Sequence, residues 1–377
     1  MQFPIKTLIL GLILAFWAGL SLQIVIDHSS IPGYTPPPLI QGTYEDPVSS
    51  TPQEDTETVT EPPIRVEKPD NTVYADPETP QKPITSPTTQ QFEVQPITNL
   101  TETVRSSVVN ILCTTKNGGV LHPITASGVL IDTRGIVLTN AHVAQYFLLK
   151  DYPTEDNIEC VIRTGSPAKP AYTAELLFLP PSWVSENAYQ IKTERPRGTG
   201  EYDYAFLAIT GLVAADILAP AQFSHLPVAL HTPPLNSDVL LAGYPAGFLG
   251  GAIIQKDLYA VSSPSTVEQL YTFGTSTVDV ISTGSSILAQ QGASGGAVAR
   301  VDGVLTGLIV TSSSADTTGE RELHALTTEY IIRNFEAEHG TPLVDYLQGD
   351  LLEEKRIFEK HVAPLLLAQL VAVIEGN

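Results

Sequence analysis

The fold of this chain is decided by five residues, Gly292-Ala293-Ser294-Gly295-Gly296. They lie between two apolar runs, at 278–287 and 304–310, a pattern typical of a turn between strands. The small residues around Ser294 let a substrate approach its hydroxyl, and the glycines permit a sharp turn that aims backbone amides at one point. The amides of Gly292 and Ser294 are then candidate oxyanion donors. A plain glycine turn in a hairpin is the alternative, because short Gly/Ser turns are common.

Two upstream motifs supply a base and an acid for this serine. His142 stands in the stretch Thr-Asn-Ala-His-Val, which ends the alternating apolar run 128–138. Asp203 stands at the head of the strand-like run 204–209. Its rivals Asp151 and Asp156 follow the histidine in a charged stretch and open no apolar run, so Asp203 is the preferred acid.

The three motifs, in the order His142, Asp203, Ser294, resemble the site motifs of trypsin-like serine proteases. They are most similar to those of the bacterial high-temperature-requirement stress proteases, over residues 104–335, although no PDZ-like domain is evident. The resemblance implies a catalytic triad of these three residues and an oxyanion hole formed by the amides of Gly292 and Ser294. It also implies an all-β fold of two six-stranded antiparallel Greek-key barrels, with the site in the cleft between them.

The distribution of short β-rich runs agrees with this expectation. Six runs precede a connection at 211–225, namely 107–114, 124–131, 135–140, 158–164, 172–179 and 204–210. A second set follows it, namely 226–230, 238–243, 252–262, 266–273, 277–282, 297–300 and 304–311. We therefore expect a protease domain over 98–340, with barrels at about 104–212 and 226–322.

The pattern turns helical beyond residue 322. A helix ended by Gly340 is expected to pack on the second barrel. The extension 341–377 is also predicted to be helical, with a capping box at Asp350 and Glu353 and a break or kink at Pro364. Its apolar end is expected to pack on the protease domain, with self-association or a membrane interface as the alternatives.

The N-terminal region predicts a membrane tether. Residues 7–26 are apolar and uncharged, and about 20 residues span roughly 30 Å as a helix, so 1–26 is expected to be an uncleaved signal anchor. The protease domain would then be periplasmic or extracellular. Cleavage as a signal peptide, followed by secretion, is the alternative. Residues 27–97 are rich in Pro, Thr and Glu and are predicted to be a disordered linker.

Composition narrows the classes of partner. The formal net charge of −21 argues against nucleic-acid binding, which needs basic patches. The chain has no Cys-x-x-Cys, no His-Glu-x-x-His and no phosphate-binding glycine loop, so neither a metal nor a cofactor is expected. The expected partners are polypeptide substrates and, through the N-terminal segment, a membrane.

The resemblance also implies a disulfide and a substrate pocket. The first and fourth strands of such a barrel are neighbours, which would pair Cys113 with Cys160 in an oxidising compartment; two buried thiols are the alternative. The pocket base would be Leu288, six residues before the serine, and the lining strand Val310, Thr311, Ser312 and Ser313. No acid is placed to pair with Lys or Arg, so small or medium aliphatic side chains are expected there.

The preferred function is that of an exported serine endopeptidase, with a role in extracytoplasmic quality control or processing as an analogy. A catalytically weak, protease-like module that binds peptides would bind substrate without turnover. An esterase that uses the same triad would be identified by comparing ester and peptide substrates, although the chain lacks the Gly-x-Ser-x-Gly elbow of the α/β-hydrolases.

Overall fold

The computed structural model describes residues 97–117, 121–193, 198–214, 218–274, 276–312 and 321–376. The predicted signal anchor at 1–26 lies outside the described residues, as does the predicted linker except for Ile97. Ser313 of the predicted pocket also lies outside them. The described chain begins with helix α1 (Ile97–Ser107), which leads directly into the first strand.

The first half of the molecule is a closed antiparallel barrel. Its strands are β1 (Val108–Thr115), β2 (Ile124–Leu130), β3 (Ile136–Thr139), β4 (Ile158–Thr164), β5 (Lys169–Phe178) and β6 (Ala205–Leu212). They pair in the order β1-β2-β3-β6-β5-β4. The six predicted runs are therefore confirmed. In every strand of this barrel except β4, apolar residues lie in two separate cores. Along β1, for example, Val109 and Ile111 lie in one apolar cluster and Val108 in the other.

Three helical segments cover this barrel between its strands. They are α2 (Ala141–Leu148), α3 (Pro181–Asn187) and a 3-10 turn (Ala188–Lys192). Buried side chains such as Val143 and Trp183 join these segments to the barrel interior. The barrel is thereby closed at the end where α2 follows β3.

The second half is an open sheet rather than the predicted six-stranded barrel. Its strands are β7 (Asp238–Gly243), β8 (Val261–Thr266), β9 (Gln269–Tyr271), β10 (Val280–Ser285), β11 (Ala297–Arg300), β12 (Leu305–Ser312) and β13 (Glu322–Thr327). They pair in the order β8-β7-β11-β12-β13-β10-β9. The all-β class with C-terminal helices is confirmed, whereas a second closed six-stranded barrel is corrected to a seven-stranded half-barrel sheet.

Three predictions in this half were wrong in detail. Residues 226–230 form only a bridge between Val228 and Leu305, since Pro227 has no backbone N–H to extend a ladder. The run 252–262 begins instead in helix α4 (Gly251–Lys256). Beyond residue 322 the chain is first β13, whose Leu323 and Ala325 face one apolar core while Leu326 faces the other.

The C-terminal helices begin only after β13. Helix α5 (Thr328–His339) starts where the Thr327 hydroxyl accepts a 3.0 Å hydrogen bond from the Tyr330 amide. It ends, as predicted, at Gly340, whose φ of 82° is left-handed. Helix α6 (Leu343–Gln348) follows, and the ring of Phe335 in α5 packs against that of its Tyr346, with 5.0 Å between the centroids and a 60° angle between the planes. These helices therefore pack against the same core as the sheet.

The last two helices, α7 (Leu351–His361) and α8 (Ala363–Glu375), form the extension. Asp350 caps α7 by accepting hydrogen bonds from the amides of Leu352 and Glu353. The predicted break at Pro364 is confirmed, since the chain bends by 46° between α7 and α8. Leu366, Leu370 and Ile374 of α8 recur every four residues and are buried in the first barrel's core, against α2, α3 and the 3-10 turn.

Within the described residues, no single helix has the length and apolar composition needed to cross a bilayer. Helices α7 and α8 reach that length and composition only when taken together as a bent pair.

The two halves are joined by a buried arginine. Arg163 of β4 is fully buried, and its guanidinium donates to the carbonyls of Ile254 (2.9 Å) and Gln255 (3.1 Å) at the end of α4. Carbonyls at a helix C-terminus carry partial negative charge and so suit a cation. Tyr244 adds a second link, because its hydroxyl donates to the Gly165 carbonyl at 2.9 Å. The segment that follows β7 is thus held against the first barrel.

The predicted disulfide is confirmed between Cys113 and Cys160, which lie directly opposite each other on β1 and β4. Its sequence separation of 47 residues corresponds to a stabilisation of the folded state by about 4 kcal/mol in the chain-entropy model.

We expect the double change Cys113→Ser and Cys160→Ser to lower the melting temperature by about 10 °C, measured by calorimetry. Equal melting temperatures, together with two free thiols in a non-reducing peptide map of the unmodified protein, would contradict this expectation.

Candidate active site

His142 and Asp203 are held together at one end of the first barrel. Strands β3 and β6 are antiparallel, with Thr139 opposite Ala205, so the residues just after β3 meet those just before β6. His142 is in the first turn of α2, and its Nδ1 lies 2.8 Å from Asp203 Oδ2. Its backbone amide donates to Asp203 Oδ1 at 3.0 Å. One carboxylate thereby fixes both the ring and the backbone of the histidine.

The turn that carries Asp203 is fixed from three sides. The side-chain amide of Asn140 donates to the Asp203 carbonyl at 2.9 Å, and the Asp203 amide donates to Gly200 at 3.1 Å. Tyr202 has a φ of 59°, a left-handed conformation that is unfavourable for a bulky residue. The Tyr202 amide donates to the Tyr330 hydroxyl of α5 at 3.1 Å, which helps to hold that conformation. The acid is thus placed by both the barrel and a C-terminal helix.

The electrostatics of the pair favour a basic imidazole. Burial lowers the pKa of His142, but the negative charge of Asp203 and the hydrogen bond that its carboxylate accepts from the ring raise this pKa. The net pKa of His142 lies above its ordinary value. The Asp203 side chain is 9% exposed and that of His142 31%, so the imidazole reaches the solvent while the acid does not. A histidine with this pKa can accept a proton and is stabilised when it is charged.

Ser294 lies on a loop that docks against the first barrel. Of the five residues 292–296, Ser294 is half-buried and the other four are buried. The Ser294 carbonyl accepts a 2.7 Å hydrogen bond from the amide of Ser127 on β2. Gly295 packs so closely that a Cβ added to it would lie 2.0 Å from the Ser127 carbonyl and 2.7 Å from the Thr139 hydroxyl. Because Thr139 is three residues before His142, this contact places the loop next to the end of β3 that leads to the histidine.

The loop before Ser294 leaves two backbone amides free. Gly292 has a φ of 90°, and an added Cβ would lie 2.6 Å from the Tyr244 carbonyl, so only glycine fits. The intervening Ala293 amide donates to the Gln290 carbonyl at 3.3 Å. Within the described part of the chain, no hydrogen bond occupies the amide of Gly292 or that of Ser294. Both amides are therefore available to a negatively charged oxygen.

Of the predicted pocket residues, Leu288 and Val310 are buried, and they lie in different clusters. Leu288 is fully buried among the apolar side chains of the second half, with Ala293 and with Leu323 of β13. Val310 is buried in the other core and lies against Gly200. The backbone positions of Thr311 and Ser312 end β12, opposite β13. That these residues select the substrate side chain stays a prediction.

Two contributions to this site were missed from the sequence. Ser127 lies in an ordinary strand, and no local motif indicates that it contacts a loop 165 residues away. Leu323 was missed because the polar–apolar alternation of 322–327 was assigned to a helix. That alternation was the signal that could have identified β13. Among the described residues, no group of three or more His, Cys, Asp or Glu side chains could hold a metal ion.

The fold and geometry can now be set beside known proteins. No curated protein matches the chain by sequence. The structure of a serine endoprotease from Yersinia pestis is 18% identical, covers 64% of this chain and 66% of its own, and has a TM-score of 0.41. The active form of the Rv3671c protease from M. tuberculosis is 17% identical, covers 72% of this chain and 97% of its own, and has a TM-score of 0.39. The inactive form of that protease is 17% identical, with coverages of 64% and 92% and a TM-score of 0.38.

A family model described as a trypsin-like peptidase domain matches residues 126–308, slightly less than half of the chain. This segment includes His142, Asp203 and Ser294, together with the strands that hold them. The predicted resemblance to trypsin-like serine proteases is thereby confirmed for residues 126–308, which match a trypsin-like peptidase domain.

Proposed function

We propose that this protein hydrolyses peptide bonds with Ser294 as nucleophile, His142 as general base and acid, and Asp203 as the residue that orients the histidine. The observation that carries the proposal is the pair of hydrogen bonds that the Asp203 carboxylate accepts from the ring and the backbone amide of His142. A carboxylate on Nδ1 keeps the proton there and leaves Nε2 as the acceptor for the serine proton.

The proposed reaction has two stages. In the first, Ser294 Oγ attacks the scissile carbonyl carbon while its proton passes to His142 Nε2, and the carbonyl electrons move to the oxygen. The free amides of Gly292 and Ser294 are the proposed donors to that oxyanion. Collapse of the intermediate breaks the carbon–nitrogen bond, and His142 protonates the leaving amine. In the second stage, water attacks the acyl-enzyme by the same route and releases Ser294.

The triad assignment predicts the effect of single substitutions. Ser294→Ala or His142→Ala should lower kcat by about 10⁴–10⁶, since neither variant can form the acyl-enzyme efficiently. A peptide library supplies the substrate, and a fluorophosphonate probe measures labelling of the serine directly. Ser185→Ala is a matched control, because Ser185 is an exposed serine on α3. Peptide hydrolysis that survives in purified Ser294→Ala would rule out the proposed nucleophile.

The raised pKa of His142 also sets the pH dependence. Activity should fall as the pH drops through the pKa of His142, because protonation removes the base. In Asp203→Asn the groups that raise this pKa are lost while burial, which lowers it, remains. The acid limb of the residual activity should therefore move to lower pH. An acid limb at the same pH in the unmodified protein and in Asp203→Asn would show that this pair does not control the profile.

The proposed substrate preference rests on the apolar surroundings of Leu288, which include Ala293 and Leu323. Burial of a substrate Lys or Arg there would leave its charge unpaired. Cleavage is expected after small or medium aliphatic residues when a peptide library is profiled by mass spectrometry. Cleavage mainly after Arg or Lys would refute the proposed pocket.

We also propose an extracytoplasmic location, with residues 1–26 as a membrane anchor, 27–97 as a tether and quality control or processing as the cellular role. The Cys113–Cys160 disulfide supports export, because such bonds persist in oxidising compartments. Carbonate extraction of membranes should leave the full chain in the pellet, and external protease should reach its catalytic part. Recovery of the whole chain in the soluble cytoplasmic fraction would exclude this location.

A further inference from the structure

Ser127 occupies an unusual position between the two halves of the molecule. It is fully buried on β2 of the first barrel. Its hydroxyl donates to the Gly292 carbonyl at 2.7 Å and accepts from the Tyr244 amide at 2.8 Å. Its own amide donates to the Ser294 carbonyl, and its carbonyl accepts from the Thr139 hydroxyl at 2.8 Å. One residue therefore contacts the histidine side of the cleft, the nucleophile loop and the end of β7.

The hydroxyl of Ser127 restrains the backbone of Gly292, a residue that has little conformational preference of its own. Gly292 lies between two peptide planes, and glycine permits rotation of both. The plane before it, which contains the Gln291 carbonyl and the Gly292 N–H, is held by a 2.7 Å hydrogen bond from the Ala246 amide to the Gln291 carbonyl. In a trans peptide the N–H points away from the C=O, so this contact aims the Gly292 N–H in the opposite direction. The plane after it, which contains the Gly292 carbonyl, is held by the hydrogen bond from the Ser127 hydroxyl to that carbonyl.

Loss of that hydroxyl would release the second plane. The Gly292 carbonyl would then be a buried acceptor without its partner, which is costly unless the backbone rotates. The Tyr244 amide would also lose its acceptor, which would loosen the segment whose Ala246 amide holds the Gln291 carbonyl and so sets the direction of the Gly292 N–H. The Ser127 amide and its contact with the Ser294 carbonyl would remain, because they belong to the backbone.

We propose that Ser127 is a positioning residue whose hydroxyl fixes the orientation of the Gly292 amide, and thereby the transition-state binding of this enzyme. The proposal rests on the proposed function, in which that amide stabilises the oxyanion. Ser127 touches neither the substrate nor the reacting atoms. Its effect should therefore appear in kcat and in the binding of tetrahedral adducts, and not in the binding of uncharged ground-state ligands.

The test compares Ser127→Ala with Ser107→Ala in the full chain. Ser107 is an equally buried serine whose hydroxyl donates to the Thr103 carbonyl at 2.9 Å within α1, away from the loop. We expect Ser127→Ala to lower kcat by about 10–100-fold, somewhat less than direct removal of an oxyanion donor, with KM nearly unchanged. Ser107→Ala should keep the kcat of the unmodified protein at a comparable melting temperature.

A peptide boronate, which forms a tetrahedral adduct on the serine, supplies a second readout. Its affinity should fall in Ser127→Ala by the same factor as kcat/KM, while the inhibition constant of a cleaved product peptide stays constant. The acid limb of the pH profile should also stay in place, since the His142–Asp203 pair is untouched. Ser127→Cys should have an intermediate kcat, because a thiol is a weak donor, and it tests the proposal if the alanine variant fails to fold.

The outcomes separate the two proposals. Equal kcat values in Ser127→Ala, Ser127→Cys and Ser107→Ala, with an active unmodified protein, would overturn the role of Ser127 and leave the proposed function intact. A loss of product-peptide binding equal to the loss of boronate binding would also overturn it, because that is general damage to the site. An unmodified protein that neither cleaves peptides nor binds the boronate would overturn both proposals.

Discussion

The close approach of Gly295 to the carbonyl of Ser127 is the constraint on which the site depends. A Cβ on residue 295 would lie 2.0 Å from that carbonyl oxygen, so glycine at this position lets the loop that carries Ser294 lie directly on β2. The backbone hydrogen bond between Ser127 and Ser294 then joins the loop of the open sheet to the closed barrel. This contact between two backbones sets where the Ser294 loop lies relative to the barrel that carries His142 and Asp203.

The relative position of His142 and Asp203 follows from the strand pairing at one end of the first barrel. The pairing of β3 with β6 brings the histidine and the acid together without any long side chain spanning a gap. Several of the contacts that fix them are to backbone atoms, including the Asp203 carbonyl and the His142 amide. Such contacts leave little freedom in the relative position of the two groups, which is the property that general base catalysis requires.

The sequence was sufficient for the features that depend on local patterns. His142, Asp203 and Ser294 each stand next to a strand, and the six strands of the first barrel follow from alternating apolar residues. The open second sheet was not predictable in the same way. Residues 226–230 have strand-like composition but lack a partner for a full ladder, while β13 has a weak local pattern and is stabilised by β10 and β12 on either side. Ser127 was missed for a related reason, since its importance arises entirely from residues distant in sequence.

The C-terminal helix α8 has a consequence for how the molecule assembles. Its Leu366, Leu370 and Ile374 lie in the same core as Val109 and Ile111, although more than two hundred residues of chain separate them. Contacts of such long range form late, because the loop that they close carries a large entropy cost. The barrel that holds the histidine and the acid therefore reaches its final burial only when α8 is available. Synthesis from the N-terminus thus delays completion of this core until α8 has been made.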